Sequence, residues 1–367
     1  MLRVGIDATP LLGARSGVGR YLEGLLRGLR DIGSPVHPVL TTFSLRGAQP
    51  PAADRAGTSP APRRLPARLL HPAWSRTNLP KVEVLTGRLD VFHATNFVLP
   101  PSRAVGIVTI HDMAFEHHAD TVSAASLRYR RLVPRSVRRA TLVICFTDTI
   151  RDEICAAYDL DAGQVRVIPH GVDPAWASAA PPSDQQRHRW ALPARYLVAV
   201  GTVEPRKNLG MLIGAHAAAR RASSDVPQLV VVGGPGWGAP LDGENPDPSH
   251  VVMAGYLPDA DLRAVVAGAD ALCMPSRYEG FGLPVLEAMA SGRAVLASDI
   301  GAHREVGGAS ITYLPFGQSA WRDAIVALAV HGDTGSPAQR QARAASFTWR
   351  RSAEAHVQAY RDAVGRS

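Results

Sequence analysis

Ala271-Leu272-Cys273-Met274-Pro275-Ser276-Arg277-Tyr278-Glu279-Gly280-Phe281-Gly282-Leu283-Pro284-Val285-Leu286-Glu287-Ala288-Met289-Ala290 reads as a strand, a glycine-bearing turn and a helix. Its first four residues are apolar without polar alternation, the pattern of a strand covered on both faces. Gly280 and Gly282 let backbone approach a ligand closely. Pro284 suits the first turn of a helix, where its missing N–H costs nothing. The N–H groups of Phe281, Gly282 and Leu283 then lie at a helix N-terminus, a phosphate site by geometry and dipole. Glu287, one turn in, is placed to accept two hydroxyls such as those of a ribose, and Glu279 to reach a hydroxylated ring beyond the phosphates. A Gly-x-Gly alone is only a tight turn. The order strand, Glu279, glycines, Pro284, Glu287 is what points to a ligand.

The same rhythm runs outward from this stretch. Beyond residue 195, apolar runs at 196–200, 228–233, 251–253, 271–274, 294–297 and 310–313 alternate with helical patterns at 208–221, 259–267, 284–290 and 319–330. Before it, runs at 2–6, 36–40, 90–93, 105–110, 142–146 and 165–168 alternate with helical stretches such as 19–31, 123–139 and 149–158. Repeated βα units predict a parallel, doubly wound α/β sheet, here two in tandem. Composition shifts predict an N-terminal domain over 1–173, a linker over 174–194, a C-terminal domain over 195–345 and a closing helix over 346–367. Residues 46–80, dense in Pro, Ala and Arg, break the rhythm and read as a long, partly mobile insertion, either functional or merely tolerated. Such sheets take ligands beyond the carboxyl ends of their strands, so a cleft between the two is the expected place of reaction.

A length of 367 residues suits two domains, and 46% hydrophobic with 20% charged residues argues against disorder. No run approaches the roughly 18 apolar residues of a membrane span. Residues 1–7 read as a first strand rather than a signal peptide. Cys145, Cys155 and Cys273 are odd in number and form no C-x-x-C pair. Disulfides and a cysteine metal site are therefore not expected, and a reducing cytoplasm is. The net charge is +8, yet only Lys81 and Lys207 among the 40 basic residues are lysines. That arginine excess, with abundant Ala, Gly and Pro, reads as codon bias and weakens the step from high pI to nucleic acid. Residues 1–180 hold 22 basic and 15 acidic side chains, net +7, and residues 181–367 hold 18 and 17, net +1.

The spacing Glu279-x7-Glu287 resembles the signature of retaining glycosyltransferases of family GT4, which have the GT-B fold. The resemblance also rests on Ser16-Gly17-Val18-Gly19-Arg20-Tyr21, Thr109-Ile110-His111-Asp112, Pro169-His170-Gly171-Val172-Asp173, Gly201-Thr202-Val203-Glu204-Pro205-Arg206-Lys207-Asn208, Val232-Gly233-Gly234-Pro235-Gly236 and Ser346-Phe347-Thr348-Trp349. It implies two Rossmann-like domains facing across a cleft, with a last helix crossing back onto the N-terminal one. Arg206-Lys207-Asn208 follows a strand and opens a helix with Asn208 as a plausible N-cap; two cations there suit a diphosphate leaving group. The resemblance gives Arg206 and Lys207 that role; a solvated basic turn is the other reading of the pair. Many relatives have an arginine where this chain has Thr202, so phosphate contacts shift onto Arg206. The resemblance places Gly17 and Gly19 at a loop closing over the diphosphate, His111 at a sugar hydroxyl, Asp112 as an orienting group, and His170 at either the donor or a structural hinge.

These readings imply a metal-independent hexosyltransferase with a nucleotide-diphosphate sugar as co-substrate and no other cofactor. GDP-mannose is the first expectation, with UDP-glucose, UDP-N-acetylglucosamine or a deoxysugar donor as alternatives. A same-fold epimerase or phosphorylase and a nucleic-acid binder are the readings from other classes. The Asp-x-Asp pairs Asp259/Asp261 and Asp159/Asp161 read as a helix N-cap and a helix-to-strand turn rather than metal ligands. The acceptor half carries the positive charge, which suits an anionic, lipid-linked or cell-envelope acceptor. Residues 127–139 carry six arginines, with Arg128, Arg131, Arg135 and Arg138 on one helical face. That face is either solvated or rests on anionic lipid at the inner side of the plasma membrane.

Overall fold

The computed structural model describes residues 1–13, 16–44, 50–62, 67–74, 76–237, 247 and 249–366, excepting the side chains of 67–69 and 71. It divides into two compact units. One comprises Met1–Glu116, Ala124–Gly171 and Phe347–Ser367, and the other His117–Ser123 and Val172–Ser346.

The first unit is built on β1 (Leu2–Asp7), β2 (Val36–Thr41), β3 (Ser59–Pro60), β4 (Val91–Ala94), β5 (Val105–Thr109), β6 (Leu142–Cys145) and β7 (Val165–Val167). They form one parallel sheet in the order β3-β2-β1-β4-β5-β6-β7. The second unit contains β8 (Tyr196–Val200), β9 (Gln228–Val232), β10 (Val251–Gly255), β11 (Ala271–Met274), β12 (Ala294–Ser298) and β13 (Thr312–Leu314), ordered β10-β9-β8-β11-β12-β13 and again parallel. Central strands are apolar on both faces because helices cover both. Ile6, Val91, Ile107 and Val108 are fully buried in one sheet, and Leu197, Leu229, Leu272 and Cys273 in the other. Each such aliphatic side chain contributes about 1.5–3 kcal/mol by leaving water. Strand order reverses between β1 and β4 and between β8 and β11, the switch points at which doubly wound sheets bind ligands.

The last helix, Trp349–Gly365, starts with Thr348 Oγ1 accepting from the Arg351 N–H at 3.1 Å. It packs on the first helix, Gly17–Asp31, inside the first unit. The reason is steric: a Cβ at Gly24 would lie 2.1 Å from the Trp349 ring, at Gly28 2.3 Å from Trp349 O, and at Gly171 2.1 Å from Trp349 N. Three glycines thus make the seat for one tryptophan.

Parts of residues 46–80 are better ordered than composition suggests. β3 pairs with β2, and Trp74 is 2% exposed with its Nε1–H donating to Pro80 O at 2.9 Å. Arg139 holds this segment through Trp74 O, Thr77 O and Asn78 Oδ1. Within it, 46–49, 63–66 and 75 lie outside the described residues. Residues 174–194, read as a linker, carry the helix Asp184–Arg189 and a buried Trp176, and they cluster with the second unit. The stretch His117–Ser123 also belongs there: Trp237 Nε1–H donates to Thr121 O at 3.1 Å. The three cysteines are free thiols, Cys145 and Cys273 buried. Among the described residues no helix is long and apolar enough to cross a membrane.

Candidate active site

In the second unit the switch point gathers two loops. β8 leads into Gly201–Asn208, whose Pro205–Lys207 forms a short 3-10 turn. β11 leads into 275–282 and then the helix Leu283–Ala290. Gly282 has φ +99°, a left-handed conformation that an L side chain resists. From that turn the chain enters the helix with Pro284 in its first turn, as the sequence requires.

Four charges meet where these loops touch. Lys207 Nζ donates to Glu279 Oε1 at 2.6 Å. Arg206 Nη1 donates to Glu279 Oε2 at 3.1 Å and to Tyr278 O at 2.8 Å, and its Nη2 donates to Glu204 Oε1 at 2.6 Å. Burial alone would raise the Glu279 carboxyl, but Lys207 and Arg206 overcome it and hold the group well below the usual carboxylate range. At Glu204 burial outweighs Arg206 and Lys207, and the carboxyl is pushed up. Glu287 and Phe281 are buried on the same helix entrance, and Thr202 is exposed beside Gly201.

Asn208 has left-handed backbone and its Nδ2 donates to Pro275 O at 3.3 Å, so its side chain ties the two loops together instead of capping the helix that follows. Two residues of this site carried no role in the sequence reading. Glu204 sits in the quoted motif two positions before Arg206, which was its only signal. His303, on the helix Gly301–Gly307, donates Nδ1–H to Ser298 O at 2.9 Å, so its Nε2 is unprotonated; the ring edge lies behind Gly282. As a lone histidine it gave the sequence reading no signal.

In the first unit the candidate residues surround Tyr21. Gly17 and Gly19 open the first helix, where the Gly19 N–H donates to Ser16 Oγ at 3.4 Å. Gly19 is buried and Gly17 exposed. His111 follows β5; its Nε2–H donates to Thr95 O at 2.7 Å, leaving Nδ1 as an acceptor, and burial lowers its pKa to about 4. Asp112 Oδ1 accepts from the Ala114 N–H at 3.0 Å, an orienting contact. His170 stacks on Phe146 with ring centroids 3.8 Å apart. Tyr21 meets His111 and His170 edge-on at 5.4 and 5.3 Å.

Behind these rings runs a hydrogen-bond chain whose directions are fixed by its ends. Ser352 O can only accept, so His356 donates from Nδ1 and accepts at Nε2 from the Tyr21 hydroxyl, at 2.7 and 2.9 Å. Thr109 must then donate to Tyr21, at 3.4 Å. His93 therefore donates from Nε2 to Thr109, at 2.8 Å, and accepts at Nδ1 from Tyr360, at 2.9 Å. Both histidines are neutral in this arrangement, consistent with burial holding their pKa values down.

Of the six arginines in 127–139, Arg130 donates to Phe115 O and Glu116 O, and Arg139 holds the 74–78 segment. Arg128, Arg131 and Arg138 are exposed, and Arg135 is half-buried. Among the described residues no group of three or more His, Cys, Asp or Glu side chains is arranged to hold a metal ion. Asp261 instead accepts from Gln186 Nε2 at 2.7 Å, and Asp161 caps the 3-10 turn Ala162–Gln164.

Comparison with known proteins bears on the family and the fold. Residues 15–176 match the family model for Glycosyltransferase Family 4, and residues 194–330 that for Glycosyl transferases group 1. The chain is 28% identical over 252 residues to the O-antigen chain mannosyltransferase B of Escherichia coli, covering 66% of this chain and 64% of that one. Its match thus spans less than two thirds of that relative's length. It is 31% identical over 297 residues to a glycogen synthase of Mycobacterium tuberculosis, covering 74% of this chain and 69% of the relative. The fold is shared with the Anabaena protein HepE, solved in complex with UDP-glucose, at a TM-score of 0.69, 16% identity and 99% and 100% coverage of the two chains. These relatives carry more than one sugar specificity in their names, so they do not single out mannose. Two doubly wound sheets, a last helix docked on the first, and the matches across both halves assign the chain to glycosyltransferase family 4, with the GT-B fold.

Proposed function

We propose that this protein transfers a sugar from a nucleotide-diphosphate donor to a hydroxyl acceptor. The observation that carries this reading is the Arg206–Glu279–Lys207 cluster beside the Gly282 turn, two cations and a helix entrance at the β8/β11 switch point. In this reading Arg206, Lys207 and the N–H groups of 281–283 hold the diphosphate and offset the charge that grows as the glycosidic bond breaks. Glu287 accepts ribose hydroxyls and Glu279 orients the sugar ring. The first unit takes the acceptor, and His111 offers its Nδ1 lone pair to a sugar hydroxyl. No carboxylate is assigned as a covalent nucleophile; the family resemblance implies front-face attack instead. In it the acceptor oxygen bonds to the anomeric carbon on the face from which the diphosphate departs, the diphosphate takes the acceptor's proton, and anomeric configuration is retained. The exposed Arg128, Arg131 and Arg138 suit an anionic acceptor or a lipid-linked one at a membrane surface.

UDP-glucose now stands ahead of GDP-mannose as the donor to try first, on the strength of the HepE complex; the mannosyltransferase relative keeps GDP-mannose in the panel. The experiment is donor hydrolysis and binding measured across UDP-glucose, UDP-N-acetylglucosamine and GDP-mannose, with and without EDTA. The expected outcome is turnover of one donor, unchanged by EDTA, and weaker binding by Glu287→Ala. No binding or turnover of any sugar nucleotide overturns the reading.

A further inference from the structure

The charges between β8 and β11 cancel. Arg206 and Lys207 bring two positive charges, Glu204 and Glu279 two negative ones, joined by contacts of 2.6, 3.1 and 2.6 Å. Their side chains are only 4–15% exposed, so solvent screens them poorly. The diphosphate of a sugar nucleotide carries two fixed negative charges. A neutral cluster offers such a dianion little net attraction, however many cations it contains. Neutralising one carboxylate would leave the cluster with a net positive charge and free a cation to act on phosphate.

The two carboxylates differ in how firmly that charge is held. Glu279 touches both Lys207 and Arg206, one with each oxygen. Glu204 touches Arg206 alone, through Oε1. The charged groups facing Glu204 are Arg206 and Lys207 on its own turn and Glu279 from the β11 loop; His303, from the helix behind, faces Glu279 instead. A dianion arriving at Arg206 would compete for Glu204's one cationic contact, while Glu279 would keep a second.

We propose that Glu204 is a proton-linked counter-charge for the diphosphate: binding of a sugar nucleotide places one solvent proton on Glu204, releases Arg206 from it, and gives the cluster a net positive charge. This rests on the donor-site reading above and deepens it. The balance is simple: a carboxylate, a proton from buffer and the dianionic ligand become a neutral carboxyl group and the bound dianion. When the ligand leaves, the proton returns to solvent. Burial already lifts the Glu204 carboxyl, the direction in which an arriving dianion would push it further.

Isothermal titration of the full chain with UDP-glucose and with GDP-mannose, without acceptor, tests this in buffers of different ionisation heat. A diphosphate diester has no phosphate group titrating near neutrality, so buffer-dependent heat reports protons on the protein. The expected result is uptake approaching one proton per ligand, and affinity that rises as pH falls, by up to about tenfold per pH unit. Glu204→Gln should abolish the uptake, flatten the pH dependence and bind about tenfold more tightly above neutrality. Glu204→Asp should keep the uptake. Buffer-independent heat with the unaltered protein, or a Glu204→Gln variant that keeps the uptake or binds more weakly, overturns the inference alone. Failure to bind any sugar nucleotide of the donor panel above, UDP-N-acetylglucosamine included, overturns the donor-site reading with it.

Discussion

Lys207 is one of two lysines in a chain with 40 basic residues, and it lies at the site. Its stem runs over Gly201, where a Cβ would come within 3.2 Å of Lys207 Cε, and its ammonium meets one Glu279 oxygen. A guanidinium keeps the charge but is planar, wider and less able to act as a compact point charge. Lys207→Arg should therefore lower kcat by about 10²-fold, near the loss of a single transition-state donor, and leave the fold intact. Single-turnover transfer assays with thermal unfolding as the control measure both. The place of Lys207 at the candidate site was legible from its rarity and its motif. The part played by Glu204 was not, because its partner geometry depends on how the turn Pro205–Lys207 folds back. The meeting of Lys207 with Glu279 spans 72 residues of sequence, and only the pairing of β8 with β11 brings their loops together.

At the scale of elements, the seat of Trp349 gives a direct test. Gly24→Ala would put a methyl 2.1 Å from the indole ring, with Gly28 and Gly171 blocking its retreat on either side. Overpacking of this kind costs about 1–3 kcal/mol. Urea unfolding should show that loss, and Gly24→Ala combined with Trp349→Leu should be less destabilised than the sum of the two single changes. The central strands were readable because burial on both faces writes an unbroken apolar run, as in Val143, Ile144 and Cys145 of β6. β3 was not readable: two residues, Ser59 and Pro60, carry no pattern, and tertiary contacts of β2 and Trp74 order the segment. The helix Gly301–Gly307 was hidden for a related reason, since its glycine-bounded sequence suggests a turn and the buried Ala302, His303 and Val306 make it a helix only in context. The capping expectation at Asn208 failed because a left-handed backbone aims the side chain at Pro275 instead.

For the molecule as a whole, the units should differ in their response to acid. The first unit buries His93, His111, His170 and His356, each with its pKa lowered by burial, to about 4 for His111 and His356 and well below 6.5 for the other two. In the unfolded chain all four bind protons near pH 6.5. As pH falls from about 6.5 towards 4 the unfolded state binds more protons than the folded one, and stability drops by up to about 1.4 kcal/mol per pH unit for each histidine. Asp7 opposes this: burial raises its pKa to about 6, so it takes its proton in the folded state first and gains stability over the same fall. One carboxyl cannot offset four imidazoles. The second unit holds two such histidines, His216 and His303, both lowered by burial. Hydrogen exchange followed from pH 7 to pH 4.5 should therefore lose protection first in β4, β5 and the helix Trp349–Gly365, and later in β8, β9 and β11. His356→Gln, whose amide oxygen replaces Nε2 as the acceptor for Tyr21, should make the decline in the first unit shallower. Equal loss in the two units, or a slope unchanged by His356→Gln, would show that the buried histidines do not set the acid response.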